Sequence, residues 1–442
     1  MDSSTPSPKS ILRGHGSQVH AATFVRRNER LITGDADGFV VLWDLTIMRP
    51  RAVWQAHEKA ILGIRGWGDD KIITHGRDNK LIVWKLSEAD EDRLSTTLPV
   101  EGVPTPRAQP WMLHLLEVNT LNFCAFAACS STPSSFDTAS EILIAVPNTL
   151  ASDAVDIYSL PSQTRIHTLK AKDKTGMAMC LSLIHHKDAL TLIAAFENGH
   201  ASVQRLQTDG KWITTYHSQA HSQPVLSLSI HDDFFITSSA DSIIAKHPIP
   251  TELFFPLGTA SEPPQSTERV VEIIDEEPKA EKSLLSAALG SSPSQSSSTA
   301  PRKGVAWKDP LKAVNTKHSG QQSLAIRSDG RIFATAGWDS KVRVYSAKTM
   351  KELAVLKWHQ VGCYAVAFAN VQASDEAREK DLQSTESAEP VESSSQSIVS
   401  NKTGPLARSE LSVKDQRIAT VRKTHWIAAG AKDGKITLWD IY

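Results

Sequence analysis

Histidine, threonine and aspartate recur together along this chain at spacings that could support acid–base chemistry. In the clearest example His57 stands 21 residues before Asp78, Thr74 stands four residues before that aspartate, and Trp84 follows it by six. A histidine paired with an aspartate is the arrangement found in catalytic dyads. No serine or cysteine recurs at a fixed position beside these groups, so the pattern favours a buried hydrogen-bond network. We therefore expect a protein that is not an enzyme.

The same skeleton occurs five times. In each set we expect the histidine to bridge the aspartate of a turn and the threonine of the preceding strand, which in turn contacts a tryptophan or its substitute. Ala429 replaces the threonine in the last set, so its network should be weaker. The predicted network residues are His15, Thr33, Asp37, Trp43; His57, Thr74, Asp78, Trp84; His221, Thr237, Asp241; His318, Thr335, Asp339; and His359, Asp433, Trp439, with His247 and Tyr345 at the tryptophan position of the third and fourth sets.

Other patterns that could carry chemistry are weak. His185 and His186 precede Asp188, but neighbouring residues on a strand point to opposite faces, which favours a turn over a metal site. The glycines between 63 and 68 do not precede a helix, so they predict no phosphate-binding loop. The four cysteines include no CxxC pair and predict free thiols in a reducing compartment. We expect no metal and no cofactor.

The elements that would position these groups are short strands. Around the first set the runs 19–24, 31–34 and 39–45 have β-type composition and are separated by turn residues. The repeating unit resembles a WD40 repeat, in which each unit is a four-stranded blade of a β-propeller. Two more blades are needed between residues 87 and 216. Their second and third strands are predicted at 141–145 with 155–158, and at 192–195 with 201–204.

Closure of the ring follows from the order of strands. The last recognisable strand, at 435–441, is a third strand, and Ser10-Ile11-Leu12 precedes the first histidine without a blade of its own. Pairing these two segments removes free sheet edges. We therefore predict an all-β fold, a single seven-bladed WD40 β-propeller over residues 1–442, with an N-terminal strand that completes the last blade.

Two segments depart from the blade pattern. Residues 256–310 and 372–415 are rich in serine and glutamate, and we predict both to be disordered insertions. The first would join a third to a fourth strand and the second a first to a second strand. Such connections lie on the propeller face opposite the turns that carry histidine and aspartate.

Composition excludes several classes of protein. Hydrophobic residues make up 40% and charged residues 22% of the 442, and no apolar run approaches the roughly 20 residues of a membrane span. The N-terminus shows no secretory signal. The formal net charge of -1 provides no field that would attract nucleic acid, so we expect neither membrane nor direct nucleic-acid binding.

One position per blade is a candidate contact with a protein partner. The residue just before the turn aspartate is Ala36, Arg77, Ala240, Trp338 or Lys432 in the five clear blades. Interfaces concentrate binding energy in tryptophan, tyrosine and arginine. We therefore predict a partner-binding surface at Arg77 and Trp338, with Lys432 as a rim charge.

The order of motifs resembles one WD40 family in particular. The segments Ile11–His15, Thr33–Gly38, Thr74–Asn79, Ala336–Ser340 and Gly430–Ile441 are similar to the fungal ASTRA-associated protein 1 family, whose vertebrate relatives are described as G-protein β-subunit-like. This resemblance implies a nuclear, non-catalytic scaffold, monomeric within the multi-protein ASTRA complex. That complex is linked to chromatin remodelling and to the cochaperones that mature phosphatidylinositol-kinase-related kinases.

Two other functions compete with this interpretation. Substrate receptors of cullin-type ubiquitin ligases resemble one another by a basic residue two positions after Trp-Asp, but Trp43-Asp44 is followed here by Leu45-Thr46. An enzyme using the central channel would need polar clusters on the first strands, which are mostly apolar or small at the positions compared, Ala21, Leu62, Leu226, Leu324 and Val366.

Overall fold

The computed structural model describes residues 6–102, 107–119, 123–171, 174–254, 304–371 and 412–441. Within these ranges the strands form seven four-stranded antiparallel sheets, which are the blades of a β-propeller. The predicted fold class is confirmed, including both weakly marked blades between residues 87 and 216.

Each blade uses its strands in the same order, from the channel outwards. The first strands are β2 (Val19–Val25), β6 (Ile61–Trp67), β10 (Ala127–Ser130), β14 (Ala178–His186), β18 (Val225–His231), β22 (Gln321–Ile326) and β26 (Cys363–Phe368). The second strands are β3 (Arg30–Asp35), β7 (Lys71–Gly76), β11 (Ile142–Pro147), β15 (Ala189–Phe196), β19 (Phe234–Ser239), β23 (Ile332–Gly337) and β27 (Trp426–Ala431). The third strands are β4 (Phe39–Asp44), β8 (Lys80–Lys85), β12 (Ala154–Leu160), β16 (His200–Leu206), β20 (Ile243–Pro248), β24 (Val342–Ser346) and β28 (Lys435–Asp440). The outer strands are β5 (Arg49–Gln55), β9 (Trp111–Glu117), β13 (Thr164–Lys170), β17 (Trp212–Gln219), β21 (Lys312–Asn315), β25 (Glu352–Leu356) and β1 (Ser10–Arg13).

The ring closes as predicted. β1 pairs with β28 in antiparallel register from Ser10 opposite Leu438 to Arg13 opposite Lys435, and the Lys9 amide adds a bond of 2.8 Å to the Leu438 carbonyl. The N-terminal strand is therefore the outer strand of blade 7.

The hydrophobic core lies between blades rather than at the axis. Seven clusters of buried side chains each join two neighbouring blades. The cluster between blades 7 and 1, for example, contains Leu12, Val41, Trp426 and Leu438. Second and third strands are covered on both faces, which is why β3 is buried at every position and why these strands are nearly continuous apolar runs.

A β-bulge interrupts six of the first strands at the same place. In blade 1, Val19 pairs with Asp35 and Ala21 with Gly34, so His20 is the extra residue. Equivalent register shifts occur in blades 2, 4, 5, 6 and 7. A bulge re-aims one side chain and is typically found next to functional sites.

In the described parts of the connections there are two α-helices: α1, a single turn at Glu88–Glu91, and α2 at Val413–Lys423. Short 3₁₀ turns span Pro99–Glu101 and Phe136–Thr138. None of the helices in the described ranges is long and apolar enough to cross a membrane.

Helix α1 brings a fully buried carboxylate against blade 1. Glu91 accepts hydrogen bonds from Arg26, from Arg30 at 3.3 Å and from Arg51 Nε at 2.9 Å. Burial lowers the pKa of Arg26, with the neighbouring charge of Arg30 acting in the same direction. Glu91 therefore links the connector of blade 2 to three cations of blade 1.

The predicted insertions lie mostly outside the described residues, but their C-terminal ends need correction. Residues 304–310, assigned above to the first disordered insertion, are described: Val305 pairs with Phe254, and the Trp307 amide donates to Thr215 at 2.9 Å on the edge of β17. Residues 412–415, assigned to the second, contain the N-cap of α2, where Ser412 accepts a hydrogen bond from the Asp415 amide. Backbone pairing and capping outweigh the polar composition at both ends.

Candidate partner-binding site

The blade networks fix the upper face of the propeller, defined here as the face with the loops before the first strands and the turns after the second strands. In blade 2, His57 Nδ1 lies 2.9 Å from Asp78 and its Nε2 lies 2.8 Å from Thr74 Oγ1. Trp84 Nε1 donates to the same hydroxyl at 2.9 Å. Burial alone would raise the pKa of Asp78, but the hydrogen bond and charge of His57 lower it. The predicted network is present in this blade and holds the turn to the preceding loop.

Blade 1 has the same network with a different carboxylate. His15 Nδ1 lies 2.7 Å from Asp35, its Nε2 lies 2.7 Å from Thr33, and Trp43 donates to Thr33 at 2.8 Å. Asp37, the predicted member, is exposed, and its amide donates to Asp35 Oδ1 at 3.0 Å. The assignment of Asp37 is wrong because Asp35, at the end of β3, already reaches the imidazole from within the strand.

The network of blade 5 extends into its neighbour. His221 lies 3.2 Å from Asp241 and 2.8 Å from Thr237, whose hydroxyl lies 2.8 Å from His247 Nε2. The other nitrogen of His247 lies 2.7 Å from the hydroxyl of Tyr216 on the outer strand of blade 4. Burial, with a smaller effect of His221, lowers the pKa of His247 to about 3, so this ring is neutral. The chain of bonds joins two blades.

Blade 6 does not form the predicted network. His318 is half-exposed and lies 3.9 Å from Asp339, while Thr335 donates at 2.6 Å to the buried amide oxygen of Gln321. Asp339 is bound by the buried Arg343 at 2.5 Å. Burial opposes ionisation of Asp339, but Arg343 lowers its pKa overall. The imidazole of His318 therefore lacks both predicted partners, because Thr335 binds Gln321 and Asp339 binds Arg343.

Blade 7 recovers the missing hydroxyl from another strand. Thr437 on β28 lies opposite Ala429 in the register, 2.9 Å from His359 Nε2, and accepts from Trp439 at 2.9 Å. Thr437 therefore supplies the hydroxyl that Ala429 lacks, so the network keeps its bond to the histidine. The predicted hydrogen bond between Asp433 and His359 is not formed. The carboxylate of Asp433 is instead bound by Lys435 Nζ at 2.6 Å. Burial lowers the pKa of His359 to about 4, although Asp433 acts in the opposite direction.

The residues predicted to contact a partner are geometrically equivalent. Each donates its amide to a carbonyl just before the first strand of its own blade, at 2.9 to 3.1 Å, and Glu197 does the same in blade 4. These six turn residues, called here the outer ring, are Ala36, Arg77, Glu197, Ala240, Trp338 and Lys432.

The bulges supply a second set nearer to the axis. Their extra residues, called here the inner ring, are His20, Leu62, Met179, Leu226, Gln322 and Tyr364. All six line one cavity of about 600 Å³ at the upper mouth of the channel. The register shift therefore explains why an extra side chain lines this mouth in six of the seven blades.

The cavity brings together part of the predicted surface. Arg77, Ala240 and Trp338 of the outer ring line it, together with Phe123 of blade 3, so that all seven blades contribute. Lys432 is exposed but is not among the lining residues. The structure thus unites Arg77 with Trp338 and leaves Lys432 outside.

Trp338 is held in a fixed orientation although it is 47% exposed. Its indole Nε1 donates to Gln322 Oε1 at 2.8 Å. The ring lies against Gly320, where φ is +71° and an added Cβ would stand 2.2 Å from a ring carbon. An exposed tryptophan that is already ordered binds a partner at low entropic cost.

Arg77 provides the charge of the mouth. Its guanidinium lies over the ring of Phe123, 4.4 Å from the centroid, and Phe123 is 58% exposed.

The other titratable groups that the structure describes near the mouth carry no charge into it. Burial lowers the pKa of His20, the carboxylate of Asp35 raises it, and the charge of Arg77 lowers it again, so His20 is neutral near pH 7. Glu197 accepts from the Met177 amide at 3.3 Å and lies outside the lining. Arg77 is therefore the one formal charge among the described lining residues.

One cysteine stands among the described residues of the mouth. Burial raises the pKa of the Cys180 thiol, which lines the cavity, to about 12, so it is no nucleophile near neutral pH. Across the described ranges no three histidine, cysteine, aspartate or glutamate side chains are grouped so as to hold a metal ion.

Sequence reasoning missed the inner ring and Phe123. A usable signal was present, since the residue after each bulge is small: Ala21, Gly63, Cys180, Ser227, Ser323 and Ala365. A large residue followed by a small one near the start of a first strand would have marked the inner ring. Phe123 precedes its strand in a blade without a bulge and carries no such signal.

Known proteins are similar to this chain in sequence. The model of the WD domain, G-beta repeat, matches residues 6–44 and 311–346. ASTRA-associated protein 1 of Pyricularia oryzae is 51% identical over 98% of this chain and 97% of its own length. The chain belongs to the ASTRA-associated protein 1 family. The member from Verticillium alfalfae is 50% identical over 99% of this chain and 93% of its own length. The member from Schizosaccharomyces pombe is 32% identical over 82% of this chain and 93% of its own length.

Proposed function

We propose that this protein is a non-catalytic scaffold subunit of the nuclear ASTRA complex, linked to chromatin remodelling and to the maturation of phosphatidylinositol-kinase-related kinases. The observation that carries the proposal is the upper mouth, a preformed cavity to which all seven blades contribute and which presents Trp338, Phe123 and Arg77 to solvent. The relatives' name, ASTRA-associated protein 1, supports the assignment to this complex. The propeller acts there as a single copy among other protein subunits.

The geometry supports binding rather than turnover. The histidines of blades 1, 2 and 5 are buried and are bound to the carboxylate and threonine of their own blade, so they are not presented to a substrate. The groups that do face the mouth are aromatic, aliphatic and cationic. Such residues are enriched where proteins bind each other.

The test is affinity purification of the tagged protein from its own cells, followed by mass spectrometry. We expect the wild type to recover the ASTRA subunits and the kinase-maturation cochaperones. The double variant Trp338→Ala with Arg77→Glu should weaken the free energy of partner binding by about 2 kcal/mol or more, and the recovery should fall accordingly. Lys432→Ala, an outer-ring change outside the cavity, is the matched control and should have a smaller effect.

Three outcomes would contradict the proposal. Recovery of a cullin adaptor in place of the ASTRA subunits would favour a ubiquitin-ligase receptor. Equal recovery by a double variant with unchanged thermal unfolding would move the interface to the face from which the insertions leave. Exclusion of the tagged protein from the nucleus would contradict its location.

A further inference from the structure

We infer that the upper mouth binds an extended segment of a partner protein in which a large apolar side chain stands beside an aspartate or glutamate. This inference rests on the proposed scaffold function and specifies the chemistry that the same cavity recognises.

The apolar part of the inference comes from the inner ring. Leu62, Met179 and Leu226 are re-aimed by their bulges into one cavity, and Trp338 and Phe123 stand at its rim with about half of each side chain exposed. A cavity of about 600 Å³ accepts a few side chains of a peptide, in the size range of small-ligand sites. Large apolar side chains are the groups that gain most from entering it.

The acidic part comes from Arg77. Its guanidinium has no carboxylate partner among the described residues, and its central carbon lies over the ring of Phe123 at 4.4 Å from the centroid. A guanidinium carries five N–H donors, of which a carboxylate can engage two at once. That geometry suits bidentate binding of a carboxylate. Because the described lining residues include no acidic side chain, a basic segment would meet an unopposed cation there.

Preorganisation explains why the two parts act together. The hydrogen bond from Trp338 to Gln322 connects the outer ring to the inner ring within blade 6, and Gly320 leaves room for the indole. Arg77 reaches the same cavity from blade 2. The occupant must therefore present its apolar and acidic groups within one short stretch of chain.

The experiment is selection of phage-displayed random 12-residue peptides on the purified full-length protein. We expect enrichment of peptides that carry aspartate or glutamate within two positions of Leu, Met, Phe or Trp. Arg77→Glu should reverse the charge preference towards lysine and arginine, and Trp338→Ala should remove the enrichment. Lys432→Glu, which adds the same charge outside the cavity, is the matched control and should leave the selected sequences unchanged.

A selected peptide should then be synthesised and titrated by fluorescence polarisation. Arg77→Glu should weaken its binding about tenfold or more, and Gly320→Ala should weaken it by displacing the indole. Selection of the same sequences by wild type and Arg77→Glu would overturn the inference, as would enrichment of basic peptides by the wild type.

One further arm identifies the source of the occupant. The first insertion contains Val270-Val271-Glu272-Ile273-Ile274-Asp275, in which acidic residues stand beside apolar valine and isoleucine. In one outcome the full-length protein selects no peptides, whereas a variant lacking Pro256–Leu285 selects acidic-apolar peptides. The occupant is then this segment and not a partner. If neither selects peptides, the inference is wrong, while complex recovery that depends on Trp338 would still support the scaffold function.

Discussion

At the scale of single residues, His75 is buried without the partners that satisfy its neighbour His57. It follows Thr74 in β7, is 0% exposed, and neither ring nitrogen has a hydrogen-bond partner among the described residues. Its ring meets Phe126 edge-on, with centroids 6.1 Å apart. Burial, helped by the charge of His57 and opposed by Asp78, lowers the pKa of His75 to about 3.

This lowered pKa makes the fold sensitive to acid. Between pH 6.5 and about 3 the unfolded chain binds a proton at His75 that the folded chain excludes, so stability falls as the pH falls. His75→Leu should reduce the loss of unfolding free energy between pH 7 and pH 5 by about 2 kcal/mol. Urea titrations at both pH values measure the free energy of unfolding, and replacement of the half-exposed His318 by leucine is the control. If His75→Leu loses as much unfolding free energy between pH 7 and pH 5 as the wild type, the lowered pKa of His75 is contradicted.

The two aspartates of the first turn provide a second prediction at this scale. Asp35→Ala should destabilise the protein by about 1 to 3 kcal/mol, because it leaves the buried Nδ1 of His15 without an acceptor. Asp37→Ala, two residues away and exposed, should change stability by less than about 0.5 kcal/mol. Thermal unfolding of the two variants side by side decides between them, and the reverse order would restore Asp37 to the network.

The sequence could place the network but could not always choose its members. Thr33 is followed by aspartates at both the second and the fourth position, and spacing copied from Thr74 and Asp78 selects the wrong one. Gln321 and Thr437 show the same limit. Gln321 takes the place of His318 as the partner of Thr335, and Thr437 supplies the hydroxyl that position 429 lacks to His359. Periodicity reports strand and register, whereas the choice of donor depends on side-chain reach.

At the scale of elements, the connector of blade 2 carries a charge cluster that sequence reasoning missed. Helix α1 is a single turn, and it has no hydrophobic period that would have marked it. Its function in the fold is to place Glu91 among Arg26, Arg30 and Arg51. The bulges belong to this scale too, because a register shift changes where a strand points its side chains without changing its composition.

Removing the charge of Glu91 should be costly. Glu91→Gln leaves three arginines with reduced compensation, two of them largely buried, and should destabilise the protein by about 3 kcal/mol. Glu88→Gln is the matched control on the same helix, because Glu88 is 73% exposed and 4.0 Å from Arg30, and it should cost less than about 1 kcal/mol. Denaturant unfolding of both variants measures the difference. Equal, small effects would mean that Glu91 is dispensable.

At the scale of the whole molecule, seven interblade clusters make the ring cooperative, and the four-residue strand β1 closes it. Leu12 is 3% exposed and packs with Val41 and Leu438, so blades 1 and 7 depend on this strand. The closure and the number of blades could be predicted because they follow from strand order. The mouth could not, since it exists only after the blades are placed around the axis.

Breaking the closure should open the ring. Deleting Met1–Arg13 should lower the thermal midpoint of the whole protein, because blade 7 loses its outer strand and an edge opens. Leu12→Asp should act in the same direction, by about 3 kcal/mol or more, while Arg13→Asp on the exposed side of the strand should not. Differential scanning calorimetry gives the midpoints. A midpoint that survives the deletion would show that the ring does not need β1.

The pairing of β1 with β28 also sets a time at which the binding mouth first exists. The ribosome makes β28 more than 400 residues after β1, which at ordinary elongation rates takes roughly 20 to 80 s. Throughout that interval β1 has no partner strand, and the mouth lacks Trp338 and Tyr364 until blades 6 and 7 are made. A partner that recognises the full mouth therefore distinguishes finished molecules from nascent ones, so that assembly waits for translation to be complete.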